Sequence, residues 1–293
     1  MKIMVTGTTG QFGTKVVNSL LKMIPANQLA VSVRTPEKAE GLKVQGVEVR
    51  QGDFSKPETL DFTGIDKLLI IPTSDVVPGD EVRISQHMNA VDAAVRDNVK
   101  FIAFTSAPKA DISSFCLAPA YKATEAAILK TGIPYSFLRN NWYLENEIGS
   151  IQTAMAGAPW ITAVGNGKIG WVLRQDLAEA TAVVLAGIGH ENTIYELSGK
   201  PRTQEELVSA IESVLEKEIP LQKVSDVEYV DIMKSAGVPE AALPMMVEIQ
   251  KGMREGALEV ESNDLENLLG HPATPINEAL IKLINEIIPA TNK

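Results

Sequence analysis

Short apolar runs alternate with amphipathic stretches through the first half of the chain. The runs 3–6 (Ile-Met-Val-Thr), 29–34, 47–50, 67–72, 100–105 and 134–138 are rich in Val, Ile, Leu and Phe and show little polar alternation. That character predicts strands covered on both faces, as in a parallel sheet. Helical spacing between them predicts helices over 11–23, 36–45, 81–97 and 119–131. In the first, Phe12, Val16, Val17, Leu20 and Leu21 share a face; in the third, Ile84, Met88, Val91 and Val95 form the expected stripe. Strand–helix alternation at this pace predicts an α/β fold, an NAD(P)-binding Rossmann fold with a doubly wound parallel sheet.

After Arg139 the pattern changes. A helix over about 141–156 leads into a Pro/Gly-rich connection over 157–167, and Asp176 near the start of the next apolar helix is expected to stabilise its free N–H groups. Residues 193–198 read as a further strand, and Thr203-Gln204-Glu205-Glu206 as a capping box opening a helix to about 217. From about 202 to 288 the chain is mostly helical, punctuated by Pro220, Pro239, Pro244 and Gly270. The expected division is a dinucleotide-binding domain over 1–156, with 157–201 adding strands and a helix to it, and a small α-rich lobe over 202–293 closing the substrate pocket.

The first strand stops at Gly7, glycines recur at Gly10 and Gly13, and a helix follows at once. This arrangement brings backbone N–H groups and a helix N-terminus up to a pyrophosphate, so Gly7, Thr8, Thr9, Gly10, Gln11, Phe12 and Gly13 are expected to hold a dinucleotide. The second strand decides which one. NAD-binding chains place an acidic residue there for the ribose 2′-hydroxyl. Here no Asp or Glu occurs between Gly13 and Glu37; the strand ends on Arg34, with Lys38 a turn later. A guanidinium binds a 2′-phosphate that a carboxylate would repel, so NADP(H) is the expected cofactor, with NAD(H) second. Asp53, after the third strand, stands where it can touch the adenine or form a turn with its own backbone.

Composition narrows the partners. A net charge of −10 argues against nucleic acid as a partner. One cysteine, Cys116, in an apolar setting, and three dispersed histidines offer no disulfide and no metal-ligand spacing. No basic leader precedes the first strand and no apolar run approaches a membrane span, so the expectation is a cytoplasmic protein acting on a small molecule without a membrane partner.

Short-chain dehydrogenases and nucleotide-sugar epimerases use Tyr-x-x-x-Lys, in which the lysine lowers the tyrosine's pKa. Four residues after Tyr121, Tyr135, Tyr143, Tyr195 and Tyr229 stand Glu125, Arg139, Glu147, Gly199 and Met233. The relay is missing, which disfavours epimerisation. It leaves direct hydride transfer to an acceptor needing little acid catalysis, or a redox sensor that would need a protein partner. The richest remaining segment, Leu138-Arg139-Asn140-Asn141-Trp142-Tyr143, offers amides, aromatics and an arginine to orient a carboxamide ring and stack on a flat substrate, while Trp160 and Trp171 flank the glycine-rich connection and either line the same pocket or anchor it.

These stretches resemble the NmrA-like atypical short-chain dehydrogenases, a family that includes bacterial type 2 NAD(P)H:quinone oxidoreductases and triphenylmethane reductases. The resemblance runs through 5–13, 46–53, 99–106, 138–146, 165–168 and 270–272. It implies that residues 7–13 hold the pyrophosphate and Arg34 the 2′-phosphate, and that Pro72, Thr73 and Ser74 pass beneath the cofactor, with Phe54 and Thr105 in the same set. It further implies that Asn140, Trp142 and Tyr143 lie near the nicotinamide, with Asn140, Tyr143 and Tyr121 the candidate catalytic residues and Trp142, Trp171 and Arg174 facing substrate. Tyr121 falls where some relatives carry a functional lysine, and the loop over 74–83 is longer than in the quinone reductases. The activity implied is NADPH-dependent reduction of a quinone or similar flat conjugated acceptor, with a non-catalytic NADP(H) sensor as the alternative and a homodimer left open.

Overall fold

The computed structural model describes residues 1–73 and 80–287. Its centre is a seven-stranded parallel sheet in the order β3-β2-β1-β4-β5-β6-β8. The strands are β1 (Ile3–Thr6), β2 (Leu29–Val33), β3 (Glu48–Gln51), β4 (Lys67–Ile70), β5 (Phe101–Ser106), β6 (Tyr135–Asn140) and, later in the chain, β8 (Thr193–Leu197). Every residue of β1, β2, β4 and β5 is buried, which explains their unbroken apolar character. Strand order reverses between β1 and β4, and a doubly wound sheet binds its ligand at such a switch point, outside the carboxyl ends of the strands.

On one face, α1 (Gln11–Leu20) packs with α6 (Arg174–Ala186), burying Phe12, Val16, Val17 and Leu20 against Val5, Val31 and Leu69. The short α2 (Glu40–Val44) lies before β3. On the other face, α3 (Asp80–Arg96) and α4 (Ala118–Thr131) cover Met4, Leu68, Ile102 and Phe137. The buried side of α3 differs from the expected stripe. Val95 is exposed, and the sheet-facing positions are Arg83, Gln86, His87, Ala90, Val91 and Ala94. A helix that carries polar groups into the core has an apolar stripe rotated away from its true buried face.

The second core gathers around Trp160, Trp171, Leu207, Ile211 and Leu280. It joins α5 (Ile148–Met155), α7 (Gln204–Leu215), α9 (Leu243–Arg254) and α11 (Ile276–Ile287), with α8 (Asp226–Ser235) packed on α9; α10 (Asp264–Leu269) instead packs on α6 and β8 and buries Leu265 in the first core. Thr203 and Ser225 each form a complete capping box, opening α7 and α8. Within the Pro/Gly-rich connection, β7 (Trp160–Thr162) pairs in parallel with β9 (Leu221–Lys223), a two-stranded sheet that three-residue segments do not announce. The helix expected over 141–156 begins only with a 3₁₀ turn, Leu144–Glu147, because Trp142 and Leu144 pair with Val172 instead. Asp176 corrects a further expectation. Its carboxylate accepts from the N–H and hydroxyl of Thr274 at 2.7 and 2.8 Å, while the first N–H of α6, on Arg174, goes to Glu145.

Candidate cofactor and acceptor site

The glycine turn after β1 is a backbone cradle. Gly7 has φ +64°, a left-handed conformation that favours glycine. A Cβ on Gly13 would lie 2.4 Å from the Gly7 carbonyl and 2.8 Å from the Thr8 Cα. Thr14 pins the loop by donating to the carbonyls of Thr8 and Gly10, both at 2.9 Å. The cap of α1 is Gly10, which has no side chain to satisfy the first N–H groups, and the first turn holds no acidic residue. Thr8 is buried, yet its hydroxyl has no partner. An uncapped helix start beside an orphaned hydroxyl fits an anionic group such as a pyrophosphate.

At the end of β2, Arg34 and Lys38 are exposed, and neither has an ion-pair partner among the described residues. Asp53 is in its turn conformation: the carboxylate accepts from Ser55 N–H at 2.9 Å. Phe54 is buried beside it, its carbonyl held by Asn89 at 2.7 Å. Thr105 is buried within β5. Pro72 and Thr73 follow β4, whereas Ser74 lies outside the described residues.

His87, on α3, holds Thr73 in place. The Thr124 hydroxyl donates to the Ala120 carbonyl at 2.7 Å, so it accepts from His87 Nδ1 at 2.9 Å; Nε2 is then free to accept Thr73 N–H at 3.3 Å. Both ring nitrogens are used in the neutral form. Burial, aided by the nearby Arg83, pushes the imidazole down to about 4. An unfolded His87 protonates near 6.5, so between 6.5 and about 4 the unfolded chain binds the extra proton. This contribution to stability is complete above about pH 6.5 and is lost as pH falls towards 4. Urea titrations across that window should show the decline, and His87→Gln should flatten it.

The carboxyl end of β6 supplies the opposite wall. Tyr143 stacks on Phe12, ring centres 5.9 Å apart at 14°, and the Arg174 guanidinium lies over the Tyr143 ring, 5.0 Å from its centre. Arg174 also bonds Gln11 and, at 3.1 Å, Asn146, which clamps α6 to the first turn of α1. Asn140 donates to the Tyr143 hydroxyl at 3.4 Å, and its own carbonyl oxygen is buried without a partner. Burial raises the Tyr143 phenol to about 12, with Tyr121 near enough to push in the same direction. Tyr143 therefore keeps its proton at neutral pH. A free acceptor on Asn140 beside a free O–H on Tyr143 is complementary to a carboxamide.

Tyr121 sits over the Arg83 guanidinium, 5.1 Å from its ring centre, and meets Phe104 at 6.2 Å. Glu125, one helical turn further on, points away into a buried network. It accepts from Arg139 at 3.0 and 2.7 Å and from Ser106 at 2.6 Å. The structure thus brings Asn140, Tyr143 and Tyr121 together, but it removes Arg139 and Asn141 from the ligand side. Arg139 is taken up by Glu125, Glu196 and Asp111, and Asn141 by Ser198 and the Leu258 carbonyl. Sequence reasoning missed Arg83 and His87, whose Arg-x-x-Gln-His spacing places them on the sheet-facing side of α3.

Trp142 turns the other way from Tyr143, meeting Phe115 edge to face at 6.4 Å. Trp171 is buried in the second core. Cys116, half-buried against Met245, has its thiol pushed up to about 11, chiefly by burial, which makes it an inert packing group. His271 bonds the adjacent Pro272 carbonyl and is exposed. No group of three or more metal-ligating side chains occurs among the described residues, and no described helix is long and apolar enough to cross a membrane.

A doubly wound sheet with a glycine cradle at its switch point, an acid-free second strand and orphaned polar atoms around the opening defines a dinucleotide-binding protein of the Rossmann class. The chain belongs to the NmrA-like family, whose model matches residues 1–269. It is 38% identical to quinone oxidoreductase 2 of Escherichia coli (strain K12) over 286 residues, 97% of this chain and 99% of that one. The NADPH complex of the E. coli NADPH-dependent quinone oxidoreductase superposes with a TM-score of 0.91, covering 97% of this chain and all of that one at 38% identity. The Citrobacter sp. triphenylmethane reductase complexed with NADP(H) gives 0.90, covering 96% and 99% at 38% identity.

Proposed function

We propose that this protein is an NADPH-dependent oxidoreductase that reduces a quinone or a similarly flat conjugated acceptor. The observation that carries the reading is the pairing of two surfaces: the uncapped glycine cradle with Arg34 at one end, and the Phe12–Tyr143 platform with its open Asn140 carbonyl at the other. When bound, NADPH supplies the hydride. The cradle and α1 would hold the pyrophosphate, and Arg34 with Lys38 the 2′-phosphate. Asn140 and Tyr143 would orient the carboxamide, and Tyr121 would border the acceptor. Holding two flat rings face to face supplies much of the rate by positioning alone. The absence of a lysine beside Tyr121 suits an acceptor whose reduced form is already a stable anion.

In this reading residues 1–156, extended by 157–201, carry the cofactor, and the segment from 202 onward closes the acceptor side. The protein works in the cytoplasm on a small molecule. Sedimentation at micromolar concentration tests for a homodimer.

NADPH oxidation followed with a panel of quinones tests the activity. Turnover with neutral quinones supports the reading; tight NADPH binding without turnover would sink it and favour the sensor. Arg34→Ala removes charge-assisted hydrogen bonds, each worth about 1.5–3 kcal/mol, so the Kd for NADPH should rise roughly 10- to 100-fold. The Kd for NADH should stay within about twofold, because it has no 2′-phosphate to lose. Equal losses for both cofactors would remove Arg34 from that role.

A further inference from the structure

We propose that Arg83 is a positioning residue: acting through Tyr121, its buried guanidinium stabilises the negative charge that hydride transfer leaves on the acceptor. The proposal rests on the reading above and deepens it at the same site. Three buried side-chain polar atoms among the described residues have no partner: Thr8 Oγ1, Asn140 Oδ1 and Arg83 Nε. A bound cofactor accounts for the first two. It leaves the third, on a side chain only 3% exposed.

Arg83 stands on the sheet-facing side of α3. Its one ion pair among the described residues is with Asp80 at 3.5 Å, long for a charge-assisted hydrogen bond, and Asp80 is partly open to water. Two uncharged rings lie near it. One is Tyr121, 5.1 Å from the guanidinium; the other is His87, held neutral by burial and, after it, by the Arg83 charge. An arginine cannot shed its proton to escape burial. A full positive charge is therefore kept in the core with less compensation than it needs.

Its position gives that charge a use. Tyr121 is half-buried, and near enough to Tyr143 to add to the upward push that burial gives the Tyr143 phenol. Four residues after Tyr121, where short-chain dehydrogenases carry the relay lysine, Glu125 is tied to Arg139 and Ser106. The cation missing from α4 is supplied by α3 instead, over the ring and not beside the hydroxyl. A cation there draws on the ring's electron density and strengthens the phenol as a hydrogen-bond donor. The acceptor takes up a hydride from NADPH, which is oxidised to NADP⁺, and the reduced ring carries one negative charge on oxygen until water protonates it. Tyr121 donates a hydrogen bond to that oxygen and keeps its own proton. Arg83 is the fixed charge behind it, felt most strongly where water is excluded.

The anion is mimicked by 2-hydroxy-1,4-naphthoquinone, which is ionised at neutral pH; the 2-methoxy compound is its neutral counterpart. Calorimetry with NADP⁺ present reads both affinities, and NADPH oxidation with the methoxy compound reads kcat and KM. The wild-type protein should bind the anion at least about tenfold more tightly than the neutral ring. Arg83→Met should erase that margin, leave the neutral ring within about twofold, and lower kcat about tenfold at nearly constant KM. Arg83→Lys should keep most of the margin. Methionine removes a poorly paired buried charge, so the melting temperature of Arg83→Met should hold or rise. Equal binding of the two ligands by the wild-type protein, or a margin that survives Arg83→Met, would overturn the proposal. So would an Arg83→Met protein that melts lower and loses both ligands alike, which is the mark of a structural role. A margin lost in the variant, without turnover by the wild-type protein, would instead strike the redox reading and leave the anion role of Arg83 standing.

Discussion

Arg139→Ala should destabilise the protein by about 3–5 kcal/mol, the usual cost of breaking a buried ion pair. Both side chains are nearly sealed, Arg139 at 6% and Glu125 at 5% exposure. Removing the guanidinium leaves the Glu125 carboxylate with only the Ser106 hydroxyl, and leaves Glu196 with the Lys109 N–H. For a chain of this size the melting temperature should fall by roughly 5–8 degrees in a calorimetric scan. The double variant Arg139→Met with Glu125→Leu should recover much of the loss, because the sealed Glu125 charge is removed with its partner and only the more exposed Glu196 and Asp111 are left without a guanidinium. A single-variant loss below about 1 kcal/mol would mean that water reaches the pair.

Gly13→Ala should abolish measurable NADPH binding, with the Kd rising more than about 100-fold, while the sheet still folds. The added methyl cannot coexist with the Gly7 carbonyl at 2.4 Å, and its obstacles are backbone atoms that no side-chain rotation relieves. The turn must open, and the N–H groups of α1 then lose their convergence. Calorimetry would report the affinity and far-ultraviolet circular dichroism the fold. Binding within tenfold of wild type would show that the cradle tolerates a wider turn.

The contrast between these two residues explains what the sequence could disclose. Gly13 acts through chain geometry within six residues of Gly7, and local spacing reveals such effects. Arg139 looked equally available to a ligand, because its partners Glu125 and Glu196 stand 14 and 57 residues away. The strands β1, β2, β4 and β5 were legible since burial on both faces forces continuous apolar runs. The face of α3 was not, because Arg83 and His87 meet Tyr121 and Thr73 across the core and displace the apolar stripe. Asp176 failed for the same reason as Arg139: its partner Thr274 is 98 residues away. Asn140 and Tyr143 drew attention by their position at the carboxyl end of β6, whereas Tyr121, within α4, was singled out by the resemblance. The direction of the Trp142 side chain, towards Phe115, was not legible, because it diverges from that of its neighbour Tyr143, which stacks on Phe12.

The sheet order has a consequence during synthesis. β6 is completed at Asn140, but its neighbour β8 begins only at Thr193. Until then β6 is an edge strand, offering unpaired N–H and C=O groups along Ser136–Asn140 to any other extended chain. A ribosome adding roughly 5–20 residues each second leaves that edge uncovered for several seconds. Nascent chains stalled between the two strands therefore present to other chains an edge that the finished sheet covers with β8.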